Sequence, residues 1–126
     1  MTYFELVDEL RKLYNKVDVS DYLEHFAIQF NIEGEAEGAL YVEFSEGIID
    51  VQPYEYFDRD LIITTDFETA IDISSGEIKL DEAYSKDKIK VWGEYDMAIE
   101  LYDFIFEKKA ISIKKPASKK GKYRES

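Results

Sequence analysis

The chain has no cysteine and one histidine, His25. Without cysteine there can be no disulfide, no thiol nucleophile and no cysteine-rich zinc site. A single histidine far from any nucleophile motif is thin ground for acid–base catalysis. Neither G-x-S-x-G nor a P-loop nor a dinucleotide glycine fingerprint occurs, so no cofactor is expected. No apolar run approaches the roughly 20 residues that span a bilayer. Met1 to Leu13 mixes acids into an amphipathic pattern and lacks the basic start and cleavage site of a signal peptide. These absences point to a cytoplasmic protein that is not an enzyme.

Basic charge is scarce over most of the length. Residues 108–126 carry eight Lys/Arg against one acid, +7, which leaves −19 on the first 107 residues of a chain whose total is −12. An acidic body repels phosphate backbones, so no specific nucleic-acid binding is expected; the basic tail alone could touch anionic lipid transiently. Acids are plentiful, yet Glu33, Glu35, Glu37, Asp58 and Asp60 lack the spacing and glycine of a calcium loop, so no metal site is expected. Hydrophobic residues make up 45% of the chain, enough for one domain with a core. We therefore read 1–107 as one folded domain and 108–126 as a basic, flexible tail.

The apolar pattern then orders the elements. Thr2 and Glu5 have capping-box spacing. Tyr3, Leu6, Val7, Leu10, Leu13, Tyr14 and Val17 form a helical stripe. From about Tyr22 to Ile32 the chain alternates: Phe26, Ile28, Phe30 and Ile32 face one way, and His25, Ala27, Gln29 and Asn31 the other. The glycines of 34–38 make a hairpin loop. Leu40, Val42 and Phe44 alternate next, Ser45-Glu46-Gly47 turns, and Ile48–Val51 ends before Pro53. After an aromatic loop come a strand, Leu61 to Thr65, and a helix started by Thr65 and Glu68. That helix carries Phe67, Ala70, Ile71 and Ser74 at helical spacing and stops at Gly76. A short polar helix holds Ala83 and Tyr84, Lys88 to Trp92 is a strand, and Asp96 caps a last helix to about Phe106. Ala110 to Ile113 reads as a short strand. The class is α+β: about five mostly antiparallel strands with the helices on one face.

The stretch from Asp66 onward resembles the sterol-carrier-protein-2 family, in its small bacterial form. That family runs from an aspartate-headed helix through a small residue and glycine to A-(Y/F)-x-x-x-K-(I/L)-K-(I/V)-x-G. Three variable residues and an alanine-bearing apolar helix follow. The corresponding residues here are Asp66, Gly76, Ala83-Tyr84, Lys88-Ile89-Lys90-Val91, Gly93 and Met97-Ala98. One departure is Asp87, where the family often has glycine.

The resemblance implies a lipid-like ligand (fatty acid, acyl thioester, isoprenoid or sterol) held between helices and sheet. The residues expected to line that cavity are Phe26, Ile28, Phe30, Phe44, Phe67, Ile71, Met97, Leu101 and Phe104. Two rival readings remain. One is an interaction or homodimerisation module using Trp92, Tyr54, Tyr56, Phe57 and the last helix, whose apolar arc is wider than one packing face needs. The other is a hydrolase built on His25 and nearby acids.

Overall fold

The computed structural model of the chain describes residues 1–111. Helix α1 (Tyr3–Tyr14) begins with the expected capping box: the Glu5 backbone N–H donates to Thr2 Oγ1 at 3.1 Å and the Thr2 N–H to Glu5 Oε1 at 2.8 Å. Its apolar stripe buries Leu6, Val7, Leu10 and Tyr14, as the spacing requires.

Four strands follow: β1 (Phe26–Ile32), β2 (Gly38–Ser45), β3 (Ile48–Gln52) and β4 (Leu61–Thr65). With β5 (Lys90–Gly93) they form one sheet in the order β3-β2-β1-β4-β5. Three ladders are antiparallel, while β1 and β4 run parallel. Register places Phe26 opposite Phe44, Ile28 between Val42 and Leu61, and Phe30 between Leu40 and Ile63. All of these fall on one face, and all are fully buried. The β2–β3 turn is the two-residue loop Glu46-Gly47 with both φ values positive, the form that matches strand twist.

On that inner face lie α1, α2 (Phe67–Ser75) and α4 (Tyr95–Glu107), with α3 (Leu80–Ser85) against α4. The α+β class and the placement of the helices agree with the pattern in the sequence.

Several boundaries differ. Strand β1 begins at Phe26, because Tyr22 turns back, its N–H bonding Val19 and its carbonyl accepting from Gly47. Asp66, not Thr65, caps α2: its carboxylate accepts from the Thr69 N–H at 2.7 Å. Thr65 stays in β4 and donates its hydroxyl to the Lys88 carbonyl at 2.9 Å. On α2 the fully buried positions are Thr69, Ala70, Ile73 and Ser74, so the stripe is rotated away from Phe67 and Ile71, which are only partly buried. Strand β5 starts at Lys90. Asp96 lies inside the first turn of α4 and Glu94 holds the cap position without a side-chain bond. Ala110 and Ile111 are not in a strand. Ser112, Ile113 and the rest of the basic tail lie outside the described residues.

Candidate ligand-binding site

Helices α1 and α4 meet over Phe44, and α2 joins them through Ser74. A tyrosine buried in an apolar stripe must find a partner for its hydroxyl. Tyr14 of α1 and Tyr102 of α4 supply each other: their hydroxyl oxygens are 2.6 Å apart. Ser74 of α2 donates its hydroxyl to Tyr14 at 2.9 Å. Both rings meet Phe44 edge-on, with centroids 6.1 and 6.2 Å away. All three hydroxyl residues are buried. Burial pushes the Tyr14 phenol up to about 12 and that of Tyr102 well above its ordinary value, since an ionised ring there would be stripped of water.

Phe106 lies just outside this triad. Its ring packs on Gly76 and lies 6.0 Å from the Tyr102 ring, centroid to centroid. Gly76 ends α2 at φ 80°, a left-handed cap that favours glycine. Two grooves flank Phe106. The wider, about 440 Å³, has apolar walls from Leu13, Val17, Ile105 and Phe106, with Ser74 and Ser75 beside them and Lys16, Lys108 and Asp18 at the rim. The narrower, about 20 Å³, is bounded by Gly76, Ile78, Leu80, Tyr102 and Phe106. Lys79 and Glu107 close its rim with an ion pair at 3.0 Å.

The residues named from the sequence fall into two groups. Phe26, Ile28, Phe30 and Phe44 come together on the sheet's inner face with no exposure, and Met97 and Leu101 of α4 are buried in the same core. Phe67, Ile71 and Phe104 sit at its margin, partly buried. None of the nine borders the two grooves beside Phe106. Tyr14, Ser74, Tyr102 and Phe106 are not among the lining residues expected from the sequence. The available signal was a tyrosine inside a fully apolar helix face, which demands a polar partner on a neighbouring element.

A second polar cluster occupies the sheet's outer face. His25 Nε2 lies 2.8 Å from Glu43 Oε2, and the Tyr56 hydroxyl donates to the same oxygen at 2.8 Å. Tyr56 also stacks on Tyr41 at 4.6 Å, and its N–H donates to Gln29 Oε1 at 3.0 Å. Asp60 is fully buried; its Oδ2 accepts from the Ala27 N–H at 2.9 Å. These contacts fasten the loop between β3 and β4 across the outer face, which buries Ala27 and Gln29. His25 therefore serves as a loop fastener. Tyr54, Phe57 and Trp92 are exposed. Trp92 pairs with Ile62 on the outer face, across the sheet from α4.

Among the described residues no helix is long and apolar enough to cross a membrane, and no group of three or more acidic, histidine or cysteine side chains is placed to hold a metal ion.

The model of the SCP-2 sterol transfer family matches residues 7–105. Among solved structures, UbiJ-SCP2, a ubiquinone synthesis protein, is 15% identical with TM-score 0.60, the match covering 78% of this chain and 93% of that one. Palmitated SCP2L2 from Aedes aegypti is 19% identical with TM-score 0.59, covering 82% and 93%. The sec-alkylsulfatase PisA1 of Pseudomonas sp., solved as a double mutant, gives TM-score 0.62 at 13% identity over 74% of this chain, which spans 15% of that enzyme's length. At these identities the structures establish the fold. No curated protein sequence matches the chain significantly.

Proposed function

The chain belongs to the SCP-2 sterol transfer family, whose domains bind and transfer lipids, and on that premise we propose that it carries a lipid-like molecule whose access lies beside Phe106. The observation that carries this reading is the groove of about 440 Å³ between the ends of α1, α2 and α4, where Leu13, Val17, Ile105 and Phe106 give an apolar stretch among polar neighbours. That volume is in the range of small-molecule sites. On this reading an acyl chain slides past Phe106 toward the inner face of the sheet. Phe26, Ile28, Phe30 and Phe44 below it and Phe67, Ile71, Met97, Leu101 and Phe104 above it become its walls. Their close packing means that the ligand displaces side chains, and the flexible thioether of Met97 suits such movement. Each buried CH₂ contributes about 0.8 kcal/mol, so a long chain is held without a charged anchor. The work is non-enzymatic and cytoplasmic. That an Aedes aegypti protein of this fold was solved palmitated supports an acyl chain as the occupant.

The test is native mass spectrometry of the full chain purified from cells, with any released small molecule extracted and identified. Stoichiometric lipid is expected. Clean apo protein that also fails to take up labelled fatty acids, acyl thioesters and sterols would overturn the reading.

A second reading, a homodimerisation surface, draws on Phe57, which is 91% exposed. It requires a mass that rises with concentration in sedimentation and falls back on Phe57→Ser.

A further inference from the structure

The family match ends at Ile105, so what the chain does after α4 is its own. Helix α4 stops at Lys108, whose left-handed backbone, φ 59°, turns the chain aside. The Lys109 N–H reaches back to the Asp103 carbonyl at 3.3 Å. Lys108 itself stands on the rim of the wide groove. Three residues on, Ile111 is again partly buried and packs on the core. The chain is therefore folded back on the body at the point where residues 112–126 continue it.

The groove's apolar stretch is Leu13, Val17, Ile105 and Phe106. Its wall continues past Asp18 into the segment that carries Leu23, and that segment is tied to the β2–β3 turn. The Gly47 N–H donates to the Tyr22 carbonyl at 2.9 Å, and a Cβ on Gly47 would lie 3.2 Å from the Ser20 carbonyl oxygen. Leu23 and Ile48, next to this tie, are 69% and 68% exposed. Asp18, Asp21, Glu24 and Glu46 accompany them, all exposed, against the ammonium groups of Lys16 and Lys108 at the groove. An open apolar stretch with a surplus of negative charge fits a segment that is apolar and basic. Ile113-Lys114-Lys115 is such a segment. Ile113 lies two residues beyond Ile111, and residues two apart share one side of an extended chain. From Lys114 to Arg124 the tail holds six Lys/Arg and no acid.

We propose that the chain's own tail closes the wide groove: Ile113 seats beside Val17 and Phe106, and Lys114 and Lys115 pair with the carboxylates that run from Asp18 to Glu24. One isoleucine and a few exposed ion pairs hold such a strap weakly, so it lifts and returns, and salt loosens it. The contact stands apart from the carrier reading above. Its consequence, an entrance that opens when the strap lifts, rests on that reading.

The chain has no cysteine of its own, so an engineered pair reports without competition. In the full chain, Val17→Cys/Ile113→Cys should form an internal disulfide under mild oxidation about tenfold faster than Phe4→Cys/Ile113→Cys, whose first cysteine lies at the other end of α1. Adding Lys114→Glu and Lys115→Glu should slow the bridge about threefold to tenfold, the range of two exposed ion pairs. Bridging no faster than in the Phe4 pair overturns the strap and leaves the carrier untouched. A disulfide dimer in place of the internal bridge does the same, since it puts the tail on a second copy. A bridge indifferent to the two glutamates overturns the charge pairing. The bridged protein should then take up radiolabelled palmitate several-fold more slowly than the same protein reduced. Equal uptake overturns the closure, and no uptake in either form overturns the carrier while the contact stands. Should the cysteine pair fail to fold, methyl NMR of the unaltered chain decides. A nuclear Overhauser contact between the Ile113 and Val17 methyls supports the strap, and its absence overturns it.

Discussion

The ring of Phe106 rests on Gly76 so closely that a Cβ added there would lie 2.7 Å from Cδ1. Glycine is needed at this point for two reasons, the left-handed φ of 80° and the contact itself. Gly76→Ala should destabilise the fold by about 2 kcal/mol, of which roughly 1 is the backbone term. In a Phe106→Ala background the clash is gone, so the same substitution should cost about 1 kcal/mol less. A double-mutant cycle by urea denaturation reads that coupling, and additive effects would show that ring and glycine are independent.

Asp87 occupies a position that the family often gives to glycine, and its φ of 60° explains the preference. Helix α3 ends in a reciprocal cap: the Asp87 N–H bonds the Tyr84 carbonyl at 3.0 Å and the Lys88 N–H bonds the Ala83 carbonyl at 2.9 Å. That cap needs a left-handed residue where Asp87 stands, and aspartate tolerates the conformation better than most side chains but less well than glycine. Asp87→Gly should raise stability by about 0.5–1 kcal/mol, and Asp87→Val should lower it by more than 1 kcal/mol. Thermal unfolding of the pair gives both signs. A loss of stability in Asp87→Gly would mean that the carboxylate has a role the backbone does not reveal.

The same segment shows what was legible in the sequence. Period-two alternation from Phe26 to Ile32 and from Leu40 to Phe44 marks the inner face of the sheet, because a one-residue slip would turn every aromatic away from the helices. Glycine and capping signals located the turns to within a few residues. Thr65 and Asp66 compete for one cap, and the choice falls to Asp66 because β4 needs Thr65 in its ladder with β1. That long-range pairing leaves no trace in local spacing. The parallel pairing of β1 and β4 is non-local for the same reason. The candidate site was the least legible part: Tyr14, Ser74 and Tyr102 are up to 88 residues apart and join only through the packing of three helices.

Asp60 extends the parallel ladder with its side chain. Its N–H donates to the Ala27 carbonyl at 2.8 Å, while its carboxylate takes the Ala27 N–H at 2.9 Å. The carboxylate is wholly buried, and the edge of this loop is anchored through it. Asp60→Ala should destabilise the protein by about 2–4 kcal/mol, since it removes a charge-assisted bond and strands a buried N–H. Tyr56→Phe, which deletes a half-buried bond to Glu43 and the longer 3.3 Å contact with His25 Nε2, should cost about 1 kcal/mol. Hydrogen exchange at Ala27 distinguishes them: protection should collapse in the first variant and persist in the second.

Alkaline pH probes the triad without a ligand. Tyr14 and Tyr102 have raised phenol pKa values in the folded protein, Tyr14 up to about 12 against an ordinary 10.0. Between those two values the unfolded chain has lost the proton that the folded chain keeps. Unfolding then releases protons, so stability falls as pH rises. The stabilisation is fully present below about pH 10 and is lost progressively toward pH 12 and above, by about 2–3 kcal/mol for Tyr14 at the limit. Tyr22, also raised to about 12 by burial, adds in the same direction. Urea midpoints measured from pH 8 to 11 should stay flat to near pH 10 and then drop. The double variant Tyr14→Phe/Tyr102→Phe should be less stable at pH 8 but show a shallower alkaline decline. An unchanged decline in the double variant would assign the alkaline transition to tyrosines outside the triad.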